Sequence, residues 1–198
     1  NAELVCGPNI KDWPEMPALN EHMLLKVCAY ITDPVTTTDE LIPSGETGSF
    51  RSNPMGLAEF TLSRRVPEYV GKAKAVMNHE KNRKNGTCPE EVADAIAKIR
   101  TISGFAEIKE EKIDLSSIIY AVKPGDGSAR EQAASCQRVL LGGANIAKEY
   151  ATKRYRSNLI NWGMVPFVTV SAPDFADDDY IFVPNIREAL EGSMVNIP

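Results

Sequence analysis

Residues 118–134 read Ile-Ile-Tyr-Ala-Val-Lys-Pro-Gly-Asp-Gly-Ser-Ala-Arg-Glu-Gln-Ala-Ala. The opening apolar run predicts a buried strand, and the helix formers that close the stretch predict a helix beginning near Ser128. Between them, Gly125 and Gly127 allow a tight turn and a close approach of the backbone to a ligand. A strand, a glycine-bearing loop and a helix in this order predict an α/β fold.

The start of the predicted helix has the features of an anion site. Ser128 is a favourable N-cap residue, and the unpaired N–H groups of a helix start attract negative charge. Arg130 adds a planar guanidinium that can bind a carboxylate or phosphate with two hydrogen bonds. A well-capped turn without a ligand fits the same residues. The dinucleotide fingerprint lacks its third glycine, and the ATP-binding loop lacks its Gly-Lys-Ser/Thr.

After the strand at 117–122, the sequence predicts a helix over 129–140, a short strand over 144–147, a helix over 152–162 and a strand over 164–170. This order implies parallel strands with right-handed crossovers. Residues 21–31 predict another buried strand and 180–183 a last one, before a polar closing segment. Residues 32–49 predict a long polar loop, residues 55–85 a helix interrupted at Pro67, and residues 89–100 a further helix.

Bulk composition excludes several classes of protein. The 198 residues are 43% hydrophobic and 25% charged, as in ordinary globular domains. A net charge of −5 argues against a nucleic-acid partner, which normally selects a basic surface. No apolar run approaches the roughly 18 residues of a membrane span, so we expect no membrane partner. The cysteines lie far apart, with Cys28 in an apolar run and Cys136 in a helical pattern, which favours buried free thiols over disulfides and fits a cytoplasmic location. The four cysteines and two histidines lack metal-ligand spacing, so this chain alone builds no metal site.

The first 20 residues are predicted to lie outside the folded domain. Asn1 and Ala2 look like the remnant of a cleaved purification tag, and the proline-rich residues after them predict an irregular lead-in. We therefore expect one domain over 21–198 and expect it to be a piece of a larger protein.

Three blocks of sequence resemble the C-terminal swivel domain of aconitase and its relatives, which include isopropylmalate dehydratase. Residues 125–134 are similar to the family's G-x-G-S-S-R-E-H-A-A. Residues 24–27, 37–45 and 50–51 resemble its L-L-K-V, T-T-D-H-I-S-x-A-G and F-R stretches. Residues 157–166 resemble T-N-L-x-x-x-G-[IL]-L-P, and the blocks follow the family's order. The resemblance implies a swivelling three-layer β/β/α domain with a mainly parallel central sheet.

The resemblance also implies roles for the matching residues. Ser128 matches the serine that acts as the catalytic base, and Asp39 matches the active-site aspartate. Arg130 and Arg51 match two substrate-carboxylate arginines. Ala129 occupies the place of a substrate-binding serine, and losing that hydroxyl could shift specificity. The family's T-T-D-H is also altered here, because Glu40 replaces its histidine.

By the same resemblance, the chain is part of a hydro-lyase that interconverts a hydroxy-tricarboxylate, such as citrate or isocitrate, and its alkene. The family's 4Fe–4S cluster, whose fourth iron acts as a Lewis acid, is held by three cysteines in other domains. We therefore expect no cofactor in this chain, N-terminal cluster-binding domains as its partner, and no activity from this domain alone. Two alternatives stay open, namely a non-catalytic or RNA-regulatory relative and an unrelated domain that binds small acids.

Overall fold

A mainly parallel five-stranded sheet organises the protein. The structure, a computed structural model, describes residues 2–192. The strands are β1 (His22–Ile31), β2 (Thr36–Thr37), β3 (Ile113–Ala121), β4 (Pro124–Asp126), β5 (Gly142–Ala147), β6 (Val165–Val168) and β7 (Tyr180–Val183). The helices are α1 (Thr38–Leu41), α2 (Pro54–Ala58), α3 (Tyr69–Lys84), α4 (Glu90–Arg100), α5 (Arg130–Val139), α6 (Lys153–Asn161) and α7 (Ile186–Glu191).

The sheet confirms the predicted α/β class. Its strand order is β6-β5-β3-β1-β7, in which neighbouring strands are parallel except for antiparallel β7. The strands and helices predicted over residues 117–170 are all present, in the predicted parallel arrangement. A second, two-stranded sheet pairs β2 with β4 in parallel.

The strand order explains why most helices pack on one face of the sheet. From β1 through β3 and β5 to β6 the chain always moves toward the same edge, and right-handed crossovers in one direction lie on one side. The larger apolar cluster agrees, because it joins sheet residues such as Leu24 and Ile119 to residues of α1 through α6. Side chains of Tyr69, Ile96 and Tyr155 are fully buried there.

The opposite face of the sheet is covered differently. Its cluster contains Met23, Leu25 and Ile118 from the strands together with Ile186 of α7. Tyr30 stacks on Tyr120 with the ring centroids 4.5 Å apart. A loop residue, Phe175, meets both rings at their edges. Short segments and aromatic rings thus cover the face that the crossovers leave free.

The long polar loop predicted over residues 32–49 is wrong in part. It contains β2, α1 and a short 3₁₀ helix, Gly48–Phe50. The reason is a capping box, in which the Thr37 hydroxyl accepts the backbone N–H of Glu40 and the Glu40 carboxylate accepts the backbone N–H of Thr37. This local pairing orders the segment that carries Asp39.

Two other predicted boundaries need correction. The helix expected over 55–85 is interrupted, as predicted, but the break extends over residues 59–68 instead of lying at Pro67 alone, because the chain leaves helical geometry after Ala58 and Leu62 adopts a positive φ of 56°. The polar closing segment contains α7, in which Ile186 and Ala189 are buried and Ile186 packs against the sheet residues. Residues 193–198, which the prediction also covered, lie outside the described residues.

Residues 2–20 contain neither helix nor strand, but several of them are tied to the domain. The Lys11 N–H donates to the Ser52 carbonyl at 2.8 Å, and Trp13 packs on Trp162 with 4.8 Å between ring centroids. The Pro17 carbonyl accepts a hydrogen bond from the Arg138 guanidinium. The lead-in thus contacts Ser52, which follows Arg51, and Trp162, which follows α6.

Candidate functional site

Two separate segments meet beyond the carboxyl ends of β1 and β3. The pairing of β2 with β4 sets Thr36 opposite Pro124 and Thr37 opposite Asp126. Gly127, with φ of 133°, lies so close to Thr38 that an added Cβ would fall 2.2 Å from the threonine hydroxyl. The loop that carries Asp39 is therefore packed directly against the loop that carries Ser128. Ligands of open α/β sheets usually bind at this edge.

Ser128 does not cap the helix, in contrast to the prediction. The N-cap of α5 is Ala129, which has no polar side chain, and no side chain caps this helix start. The first N–H groups of α5 are therefore left for solvent or a ligand. Ser128 is exposed one residue earlier, and within residues 2–192 its hydroxyl is not used as a helix cap. The Ser128 hydroxyl and the first N–H groups of α5 are thus both available to a ligand.

A surface depression of about 350 Å³ lies beside Ser128. Its lining residues come from the loop before α5, the first turn of α5 and the first two turns of α6, namely Ser128, Arg130, Glu131, Arg154, Ser157 and Asn158. The Arg130 guanidinium donates to the Gly127 carbonyl, which folds the side chain over the loop. Ser128 and Arg130 thus share one depression with a second arginine, Arg154, which the sequence did not mark as a site residue.

Asp39 and Arg51 do not line this depression. Asp39 is exposed, and its Oδ2 lies 2.8 Å from Nη1 of Arg64, which also contacts Glu46. Arg51 is exposed in the turn just before α2, and α2 packs against α5. The two residues thus lie on elements that adjoin α5 or its loop. Arg64 was missed because nothing local in the sequence marks a partner 25 residues away.

A buried network of hydrogen bonds joins Tyr155, Gln137 and Asn145 beneath the loop that carries Ser128. The Tyr155 hydroxyl donates to Oδ1 of Asn145 at 2.8 Å and accepts from Nε2 of Gln137 at 2.9 Å. Nδ2 of Asn145 donates to Oε1 of Gln137 at 2.6 Å, which closes the triangle. Burial raises the pKa of the Tyr155 hydroxyl, so it stays protonated. Since the Tyr155 ring also lies against Gly125, this network fixes the loop that leads to Ser128.

We expect Tyr155→Phe to lower the free energy of unfolding by about 2 kcal/mol, because it leaves a buried donor on Gln137 and a buried acceptor on Asn145 unpaired. Urea denaturation followed by circular dichroism measures the change. Tyr30→Phe is the control, since that half-buried ring keeps its stacking, and we expect it to stay within about 0.5 kcal/mol of the parent protein. Equal losses in the two variants would contradict a stabilising role for the network.

The described residues do not fit a metal or iron–sulfur site. Within residues 2–192, no group of three or more His, Cys, Asp or Glu side chains is arranged to hold a metal ion. Cys28 and Cys136 are buried, and Cys6 and Cys88 are exposed. Burial raises the pKa of the Cys28 and Cys136 thiols to about 12, which disfavours the thiolate that metals bind.

Of the comparisons with known proteins, the one with solved structures gives a match. No protein-family profile and no curated protein matches this sequence. Among solved structures, the chain is similar to a 3-isopropylmalate dehydratase (leuD) from Methanocaldococcus jannaschii, with 18% identity and a TM-score of 0.49 over 89% of this chain and 80% of that one. Of the helices in the described part of the chain, none combines the length and hydropathy that crossing a membrane requires. Function has to be inferred from the site residues themselves.

Proposed function

We propose that this chain supplies the proton-transfer and carboxylate-binding half of a hydro-lyase active site. Its substrate is a hydroxylated tri- or dicarboxylate such as citrate or isocitrate. The observation that carries the proposal is the meeting of the Ser128 hydroxyl, the Arg130 guanidinium and the uncapped start of α5 in one open depression. The three sequence blocks that resemble aconitase support the same assignment.

In this proposal, Ser128 is the base that takes a proton from a carbon next to a substrate carboxylate. A serine hydroxyl is a weak base unless its deprotonated oxygen is stabilised. The N–H groups and positive dipole end of α5, together with the adjacent Arg130, favour negative charge at this position. In this step the Ser128 hydroxyl first releases its own proton to solvent, and the resulting alkoxide takes the proton from the substrate carbon and becomes a hydroxyl again. The electron pair of the broken C–H bond forms the C=C bond, and the hydroxyl group on the neighbouring carbon leaves as hydroxide.

The carboxylate of the substrate binds Arg130 through two parallel hydrogen bonds, for which the guanidinium first leaves the Gly127 carbonyl. We assign Arg51 as a second carboxylate ligand and Asp39 as a catalytic carboxylate held by Arg64, because both lie on elements that adjoin the depression. Ala129 is next to Ser128 and presents only a methyl group. A substrate hydroxyl therefore loses one hydrogen bond there, and we expect this to alter specificity.

The proposal places the iron–sulfur cluster on partner domains of the same protein, because the described residues of this chain do not fit one. This chain then contributes only substrate binding, orientation and proton transfer. We further propose that the functional unit comprises residues 21–198 and that the lead-in before it is not catalytic.

Reconstitution tests the proposal. The chain is combined with the cluster-bearing domains, and hydration of a conjugated tricarboxylate alkene is followed by its ultraviolet absorbance. We expect turnover from the assembled enzyme and none from either part alone. Turnover by this chain alone would contradict the half-site, and absence of turnover with a salt-dependent RNA gel shift would favour a regulatory role instead.

A further inference from the structure

The arginines around the depression are not paired with carboxylates. Five other arginines of the chain lie within 4 Å of an acidic side chain, namely Arg64, Arg65, Arg83, Arg100 and Arg187. Arg130 and Arg154 have no such partner within residues 2–192, although the chain carries 27 acidic and 22 basic side chains. In an acidic protein, two unpaired guanidinium groups at one depression leave a local positive charge for a ligand to neutralise.

The backbone fixes Arg154 relative to the loop that carries Ser128. The Ala151 N–H donates to the Pro124 carbonyl at 3.0 Å, and the Thr152 hydroxyl donates to the Gly125 carbonyl at 3.4 Å. The same hydroxyl caps α6 by accepting the Tyr155 N–H at 3.1 Å. The first turn of α6, which includes Arg154, is therefore docked on β4.

Glu131 also lines the depression, but its single negative charge does not cancel the positive charges of Arg130 and Arg154. Glu131 accepts one hydrogen bond from Nδ2 of Asn158 at 2.8 Å and another from Nε1 of Trp162 at 2.7 Å. Both carboxylate oxygens are thus held by uncharged donors, which join the start of α5 to α6. Two guanidinium groups and one carboxylate leave a net positive charge at the depression.

We propose that Arg154 is a further carboxylate-binding position, in addition to Arg130 and Arg51, and that it selects substrates carrying at least two carboxylates. One carboxylate of the ligand binds Arg130 at the start of α5, and another binds Arg154 on α6. A monocarboxylate can form the paired hydrogen bonds with only one of the two guanidinium groups, so it binds more weakly. This inference rests on the proposed function and extends it, because it names a residue that determines the class of substrate.

The experiment titrates the isolated chain with small acids and follows backbone amide shifts by NMR. Propane-1,2,3-tricarboxylate and acetate are added up to about 50 mM, well above a Kd of about 1 mM. We expect the tricarboxylate to shift amides in the first turns of both α5 and α6. Arg154→Gln should weaken its binding about tenfold and change acetate binding less than about twofold. Arg156→Gln is the matched control, since it removes the same charge from the same helix outside the depression.

The outcomes separate this inference from the proposed function. If Arg154→Gln binds the tricarboxylate like the parent protein while Arg130→Gln does not, Arg154 is not a ligand and the proposed function stands. Equal losses in the Arg154 and Arg156 variants would also overturn the inference, because the effect would then be general electrostatics. No amide shift at the highest concentration overturns it as well. If Arg154→Gln weakens binding but Ser128→Ala leaves turnover intact, the subsite stands and the proposed chemistry is wrong.

Discussion

Ser128→Ala should lower kcat of the assembled hydro-lyase by about 10³-fold and change KM by less than about threefold. The reason is that the deprotonated Ser128 oxygen would accept the proton only as the reaction proceeds, whereas the substrate carboxylates already bind the arginines in the ground state. Steady-state kinetics on the reconstituted enzyme measure both constants. Ser103→Ala is the control, because Ser103 is exposed beyond the end of α4 and does not line the depression. Near-normal turnover of the Ser128 variant would remove the base from the proposal.

The same variant distinguishes a functional serine from a structural cap. An N-cap serine replaced by alanine costs about 1 kcal/mol of stability. Because Ala129 occupies the cap position of α5, we expect Ser128→Ala to change the free energy of unfolding by less than about 0.5 kcal/mol. Urea denaturation of this chain measures the difference without any partner. A loss near 1 kcal/mol would show that Ser128 stabilises the helix start after all.

Much of the sheet could be predicted because its strands are continuous apolar runs. The runs at β1 and β3 are buried on both faces, and the strands alternate with helices in the order that parallel sheets require. The helix over Glu90–Arg100 could also be predicted, because Val92, Ile96 and Ile99 recur at helical spacing, and all three are buried. These signals are local in the sequence and agree with the tertiary structure.

The parts that were missed depend on distant contacts. β2 and β4 are two and three residues long, and they exist as strands only because the tertiary fold sets them side by side. The Thr-x-x-Glu spacing of Thr37 and Glu40 is the signature of a capping box and could have predicted α1, but the segment was predicted as a long loop. The same holds for the site residues. Ser128 and Arg130 are close in sequence and could be identified together, whereas Arg154 lies at the depression only because α6 docks on β4.

Gly125→Ala should lower the free energy of unfolding by about 4 kcal/mol, a large part of the 5–15 kcal/mol that holds a typical domain together. Gly125 has φ of 94°, and a Cβ there would lie 2.3 Å from both Cγ and Cδ1 of Tyr155. Tyr155 is fully buried, and its hydroxyl is held by Gln137 and Asn145, so the ring cannot move aside cheaply. The new methyl group must therefore displace either the ring or the loop that leads to Ser128.

Gly86→Ala separates the two causes of that loss. Gly86 has nearly the same φ, 88°, but an added Cβ meets no atom within 4 Å. Its variant carries the backbone strain alone, and we expect it to lose only about 1 kcal/mol in the same urea denaturation. The difference between the two variants then measures the contact between Gly125 and Tyr155. Equal losses would mean that the ring yields to the methyl group, and Tyr155 would then not be what holds the loop in place.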